Sequence, residues 1–254
     1  MNSSWKYVHA RKYFKERAEL YDVKYIPKGA EELSRILIQK AGIKEGDFVL
    51  DFATGTGFQA VQIAYAVGER GRVLGLDISE EMLTQAEIKI KRLGLDKVVK
   101  LKRMQSKTFP LEDDSVDAVI CGFAYHHFPD PYGVTTEMFR VLKPYKKAVV
   151  VDGCRPEHFF RKLIADLSVR ISDRTWHIRF YTEKEFREFF ENSGFKEAHS
   201  WCFYQTHCLL YPFIMIEGTK PWPSSHKNPE NLNRDLNLFP RTKGRDLGLN
   251  SRFL

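Results

Sequence analysis

The amino-acid sequence predicts a doubly wound α/β domain, with a mostly parallel seven-stranded sheet, helices on both faces and the last strand antiparallel. Three observations carry that expectation. Between Phe48 and Asp152, short apolar runs alternate with stretches of helical period, an order that lays strands in parallel and covers both faces with the helices between them. Within that alternation, the run Phe48–Phe52 breaks at once into the small residues Ala53-Thr54-Gly55-Thr56-Gly57, and the helical pattern FQAVQIAYAV starts where the glycines stop. Last, the runs 195–204 and 207–218 are joined by so few residues that they pair as antiparallel neighbours.

Taken in order, the chain opens with two helical stretches, HARKYFKERAELYD and GAEELSRILIQKAG, the second stopped by Gly42. Residues 1–45 are thus a helical segment ahead of the sheet. Strands follow at 48–52, 73–77, 98–103, 116–121 and 148–152, with helices near 59–67, 80–93 and 131–142 between them. Ser79, with Glu81 in the next turn, is the expected N-cap of the second of these helices, which puts Asp77 immediately before a helix start. After Asp152 a basic, amphipathic insertion runs through 153–181. Its Phe159, Leu163, Leu167 and Ile171 share one helical face and are expected in the core, while Trp176, His177, Arg179 and Tyr181 collect at its end. A helix at Glu183–Asn192 stops at Gly194 and leads into the closing pair. Residues 221–254 hold four prolines and five asparagines without a sustained period, and are expected to be disordered or draped over the 46–220 body.

In such a sheet the ligand lies beyond the carboxyl ends of the strands, where the strand order switches. Asp51, Asp77, Gln105 and the segment 121–127 fall at such ends. Gly55 and Gly57 let the backbone take positive φ and approach a ligand closely, and Asp77 can accept both hydroxyls of a ribose. The spacing Ala53-x-Gly55-x-Gly57, with Asp51 ahead of it, differs from the GxGxxG of dinucleotide sites. Asp51 repels a pyrophosphate and attracts an ammonium. S-adenosylmethionine (SAM) has that ammonium, and a carboxylate for the N–H groups of the turn.

The stretches VLDFATGTG, GLDISEEML and FAYHHFPDP…MFRVLKP, in this order and at these distances, resemble the class I SAM-dependent methyltransferases, especially the ubiquinone and menaquinone biosynthesis branch, over residues 13–220. The resemblance implies a Rossmann-like SAM-binding domain over 46–220, with residues 1–45 as a lid and 153–181 as a substrate cap. It implies a cofactor site drawn from Tyr21, Asp51, Ala53, Thr54, Gly55, Gly57, Asp77, Ile78, Met82, Gln105, Ser106, Gly122 and Phe123. At Gln105-Ser106 the family usually has an Asp before a small residue, and the Gln amide oxygen can accept the same hydrogen bond from the adenine amino group. Ala53 stands where many class I enzymes have the first glycine of the turn, and permits close approach if its φ is negative. Tyr13, Phe14 and Tyr21 belong either to the lid or to plain helix packing.

Two adjacent histidines in extended or helical chain point apart, so one of His126 and His127 is expected to be structural, and His126 is the candidate for acting on substrate as base or orienter. The ubiquinone-type enzymes tend to have Arg-Asn at this pair, so their catalytic arrangement does not transfer intact. No partner at ligand spacing accompanies the histidines, and no metal site is expected. The reaction implied is methyl transfer to a small-molecule acceptor by in-line displacement, with alignment as the main catalytic device. The alternatives are an RNA methyltransferase and a SAM-binding regulatory protein without transferase activity. An anionic or aromatic acceptor is expected between 122–130 and the cap, with Trp176, Tyr125 and Phe123 among the walls.

Composition narrows the classes further. Lys and Arg number 40 against 33 Asp and Glu, for a net charge of +7 and a pI near 9.1. Residues 221–254 contribute six Lys and Arg against three acids, so the body is only mildly basic, which argues against nucleic acid as the partner. Cys121, Cys154, Cys202 and Cys208 lack CxxC spacing and read as reduced thiols. The charged N-terminus is unlike a secretory signal, and no apolar run reaches the ~20 residues that span a bilayer. A cytoplasmic protein without a transmembrane segment is expected, and its oligomeric state is left open.

Overall fold

The computed structural model describes residues 13–26, 29–104, 108–157, 179–205 and 208–222. The expectations for Gln105, Ser106, the apolar stripe at 159–171, Trp176, His177 and the tail past Trp222 fall outside these residues. The sheet belongs to a unit that ends at Pro221.

In chain order the elements are a 3-10 turn (Ala18–Leu20), α1 (Tyr21–Tyr25), α2 (Ala30–Lys40), β1 (Phe48–Phe52), α3 (Phe58–Val67), β2 (Arg72–Asp77), α4 (Glu80–Arg92), β3 (Val99–Arg103), β4 (Val116–Gly122), a 3-10 turn (Tyr125–His127), α5 (Pro131–Val141), β5 (Leu142–Gly153), α6 (Glu183–Asn192), β6 (Lys196–Gln205) and β7 (Cys208–Thr219). The seven strands lie in the order β3-β2-β1-β4-β5-β7-β6. All neighbours pair in parallel except at β7, which runs antiparallel to both β5 and β6. The order reverses between β1 and β4, so the residues after Phe52 and after Gly122 flank one crevice.

Alternation along the strands builds two cores. Leu50 and Phe52 join Val119 and Cys121 beneath α5 and α6, with Met138, Phe186 and Phe190. Val49, Val73, Ala118 and Ile120 face the other way, beneath Leu37 of α2, Ile63 of α3 and Ile90 of α4. Burying both faces holds the strand ends in register, and the strand ends carry the site.

Two expectations are corrected. The single helix expected over 9–22 is broken in its described part, because Arg17 N–H bonds Phe14 C=O and Leu20 N–H bonds Arg17 C=O, the shorter i→i+3 pattern. β5 begins six residues early, at Leu142, because the register slips between Val116 and Ala118 and the polar Lys143–Lys147 stretch is absorbed as an irregularity in the strand.

Candidate active site

The turn after β1 is stitched to the end of β2. Thr54 N–H donates to Leu76 C=O at 2.9 Å, and Gly55 N–H donates to Asp77 Oδ2 at 2.9 Å. The other Asp77 oxygen accepts from Ser79 N–H at 2.9 Å, and the Ser79 hydroxyl caps α4 by accepting from Met82 N–H. Asp77 thus locks the turn to the start of α4 while its carboxylate faces the crevice. Burial raises its pKa, and the Ser79 and Gly55 N–H groups only partly oppose the rise. Because a charge-assisted bond from a ribose hydroxyl to this carboxylate is worth roughly 1.5–3 kcal/mol, Asp77→Ala is expected to weaken SAM binding at least tenfold, measured by titration calorimetry. An unchanged Kd would remove Asp77 from the site.

The negative φ that would permit close approach at Ala53 is not the one adopted; its φ is +58°. Phe123, which follows β4 on the opposite lip, has φ +54°, and its N–H donates to Val151 C=O at 2.7 Å. Both lips of the crevice therefore hold a side-chain-bearing residue in the left-handed region, a strain of order 1 kcal/mol or more that surrounding bonds over-determine. Gly57 takes the positive φ expected of it and adds a packing role. It does not line the cavity; with φ +75° it starts α3, and a Cβ there would stand 2.9 Å from the Ala86 Cβ on α4. Gly57→Val is therefore expected to lower stability by about 2 kcal/mol or more, visible as a depressed melting temperature without ligand.

Asp51, at the end of β1, is buried and accepts the Thr54 hydroxyl at 2.5 Å. Burial pushes its carboxyl up to about 7, the Thr54 bond pulls it down, and the neighbouring Asp77 adds to the rise. An acid in that state is relieved by a cation.

Across the crevice, the 3-10 turn after β4 brings His126 beside β5. Asp152 Oδ2 accepts from His126 N–H at 2.9 Å, and Oδ1 lies 2.6 Å from His126 Nδ1. Gly153 N–H also donates to Oδ1, at 2.6 Å. A carboxylate only accepts, so Nδ1 carries a proton, and in the neutral form of the ring the lone pair is on Nε2. Contrary to the expectation that the two histidines point apart, both line the cavity, their ring centroids 4.0 Å apart, because a 3-10 turn advances each residue differently from a strand or an α-helix. The His127 ring meets Phe14 edge-on at 4.9 Å, and Phe180 packs 5.1 Å from His126. Tyr125, expected as a wall, is instead in the core, its hydroxyl bonded to Thr135 and its ring against Phe186. Arg179 is exposed, paired with Glu185 at 2.6 Å.

Asp51, Asp77, His126, His127 and Asp152 face one cavity of about 710 Å³. Of the expected residues, Tyr21, Asp51, Ala53, Thr54, Gly55, Asp77, Ile78, Met82, Gly122, Phe123 and His126 line it. Asp152 lines it too, and was legible only as the end of a strand. Tyr13, Phe14, Tyr21, Phe123, Phe128, Phe180 and Phe213 supply ring surface, and no Lys or Arg stands among the described lining residues. Burial holds the Tyr21 phenol above its ordinary pKa, with Tyr13 and the carboxylates of Asp77 and Asp152 reinforcing it, so it stays a neutral O–H donor. Among the described residues no cluster of three or more His, Cys, Asp or Glu is placed to hold a metal, and no helix is long and apolar enough to cross a membrane.

Comparison with known proteins matches the same region. Residues 43–194 fit the family described as methyltransferase domain. A demethylmenaquinone methyltransferase of Lactobacillus johnsonii is 38% identical over 125 residues, 49% of this chain and 51% of that protein. A second, from Oceanobacillus iheyensis, is 30% identical over 178 residues, 63% of this chain and 74% of that protein. The match thus spans about half the length of the first relative and about three quarters of the second. The crystal structure of a SAM dependent methyltransferase from Aquifex aeolicus superposes on 76% of this chain and 93% of its own, with a TM-score of 0.59 and 25% identity. A strand-end acid pair on the β1 and β2 edges, the strand order and these likenesses agree, and the chain belongs to the methyltransferase domain family as a class I SAM-dependent methyltransferase, similar to the menaquinone branch.

Proposed function

We propose that the enzyme methylates a small molecule that has a flat, apolar part and a proton to lose, with alignment as the main catalytic device and His126 as the base. The observation that carries this reading is that the Asp51–Asp77 edge and the His126–Asp152 pair open into the same ring-walled cavity.

The residues present fit SAM. Asp51, desolvated and only partly relieved by the Thr54 hydroxyl and the Ala60 backbone, suits the ammonium, and Asp77 suits the ribose hydroxyls. Ile78 and Met82 would flank the adenine, with Gln105 and Ser106 as further partners; Ala53, Thr54, Gly55, Gly122 and Phe123 would form the floor, and Tyr21 the cover. SAM supplies a methyl already activated on a sulfonium, so alignment at about 3–3.5 Å and exclusion of water do most of the work. The aromatic walls exclude the water. His126 Nε2 takes the acceptor proton as the new bond forms, while Asp152 keeps Nδ1–H oriented and balances the imidazolium.

The lack of Lys or Arg among the described lining residues favours a neutral aromatic acceptor over an anionic one, and a small molecule over a polyanion. The relatives' printed name, demethylmenaquinone methyltransferase, points the same way, to a quinone ring as the acceptor. Cys121, Cys154 and Cys202 are free thiols, which suits a cytoplasmic enzyme. The test is incubation with methyl-labelled SAM and three acceptor pools: a demethylated naphthoquinol kept reduced, the same compound oxidised, and total RNA. Label is expected in the reduced naphthoquinol only. Saturable labelling of RNA without a small acceptor would overturn the substrate class, and SAM binding with no transfer from any cell-extract fraction would overturn the reaction.

A further inference from the structure

We propose that Asp22 is a positioning residue: by bonding the cofactor turn and α4 at once, it sets Tyr21 over the reacting centre, so the 13–25 segment seats fully only on a formed cofactor site. The inference rests on the SAM reading above.

Asp22 lies in α1, next to Tyr21. One of its carboxylate oxygens accepts the Thr56 hydroxyl at 2.5 Å, and the other pairs with the ammonium of Lys89. Thr56 belongs to the turn after β1. Lys89 belongs to α4, the helix that starts just past Asp77 and sends Met82 into the cavity. These are the two elements that Asp77 ties together through Gly55 and Ser79. A carboxylate that needs both partners at once therefore reports whether turn and helix hold their joint arrangement. Lys15 and Glu81, 3.6 Å apart, add a second pair between the same segment and the same helix.

The Lys89 ammonium matters more than a surface charge would. Its side chain is only 17% exposed, so removing Asp22 strands a mostly buried cation, unlike the loss of a freely solvated pair. Tyr21, one residue back, turns its phenol into the cavity, where the carboxylates of Asp77 on the cofactor side and Asp152 on the histidine side both act on it. At the segment's other end Phe14 meets His127. The segment thus spans both halves of the site, and Asp22 supplies its polar anchor at the cofactor half.

The test uses the full-length chain with SAM and S-adenosylhomocysteine as probes. Kd for both and the release rate of S-adenosylhomocysteine are measured for wild type, Asp22→Ala, Lys89→Met, Tyr21→Ala and the double variant Asp22→Ala/Tyr21→Ala, with melting temperature recorded for each. Asp22→Ala is expected to weaken SAM about tenfold and to speed release by a similar factor. In the Tyr21→Ala background the same change is expected to cost less than about threefold, because a residue acting through Tyr21 has nothing left to place. Wild-type affinity and release in Asp22→Ala would overturn the proposal, as would the full tenfold loss persisting without Tyr21. If Asp22→Ala fails to fold, Lys89→Met must show part of the effect, and its absence overturns the proposal equally. Failure of the wild-type chain to bind SAM would sink the underlying reading instead, since only the variant ratios bear on Asp22.

Discussion

His126→Ala is expected to lower kcat by about 10²–10⁴-fold while SAM affinity stays within about twofold, which is the range that a positioned acid–base group contributes. The geometry sets that split. Asp152 accepts both the His126 backbone N–H and, at 2.6 Å, its Nδ1–H, so the ring is held on the β5 side of the crevice, away from the Asp51–Asp77 edge. Asp152→Asn keeps the volume but not the negative charge opposite the imidazolium, and is expected to lower kcat by tenfold or more, with a shifted pH–rate profile. His127→Ala removes a ring packed on Phe14 and is expected to act mainly on stability and on the seating of the 13–25 segment. Steady-state kinetics with the acceptor decide the matter: equal, small effects of both histidines on kcat would leave alignment alone as the mechanism.

Much of this site was legible before the fold was known, for reasons that differ residue by residue. Asp51 and Asp77 stand at the ends of apolar runs and beside glycines, so local pattern alone puts them at strand ends, and the parallel order puts those ends on one edge. Asp152 also ends such a run, yet its role depends on β4 and β5 being neighbours and on a 3-10 turn that no periodicity announces. No pattern in the sequence announces the positive φ of Ala53, because sterics favour negative values for any residue with a Cβ; the bonds from Thr54 to Leu76 and from Gly55 to Asp77 hold the turn that carries it. Tyr125 read as a wall by its place in an aromatic run; the turn instead sends it inward, where Thr135 satisfies its hydroxyl. Asp22 was invisible, because an acid on a helix surface is ordinarily solvated and its two partners lie 34 and 67 residues away.

If Asp51 holds the SAM ammonium as proposed, SAM affinity is expected to depend on pH in a direction fixed by the burial of this carboxyl. Its carboxyl, pushed up to about 7 from an ordinary 3.8, binds a proton in the folded protein over a window in which the unfolded chain has already lost it. Stability of the ligand-free protein should therefore fall as pH rises between about 4 and 7, since the folded state holds more protons there. Binding of a cation should run the other way. Only the ionised form attracts the ammonium, and about a tenth of Asp51 is ionised at pH 6 against about nine tenths at pH 8, so SAM should bind roughly tenfold more tightly at the higher pH. Asp51→Asn separates these effects from any global titration. The variant is expected to bind SAM about 10–100-fold more weakly at pH 8, to lose the pH slope between 6 and 8, and to be more stable than wild type without ligand at pH 8, because a desolvated charge has been removed. Calorimetric titration and thermal melts across that range measure all three. A variant that keeps the wild-type pH slope would show that another group sets it, and one that loses stability while keeping affinity would make Asp51 a structural partner of the turn and not a cofactor ligand.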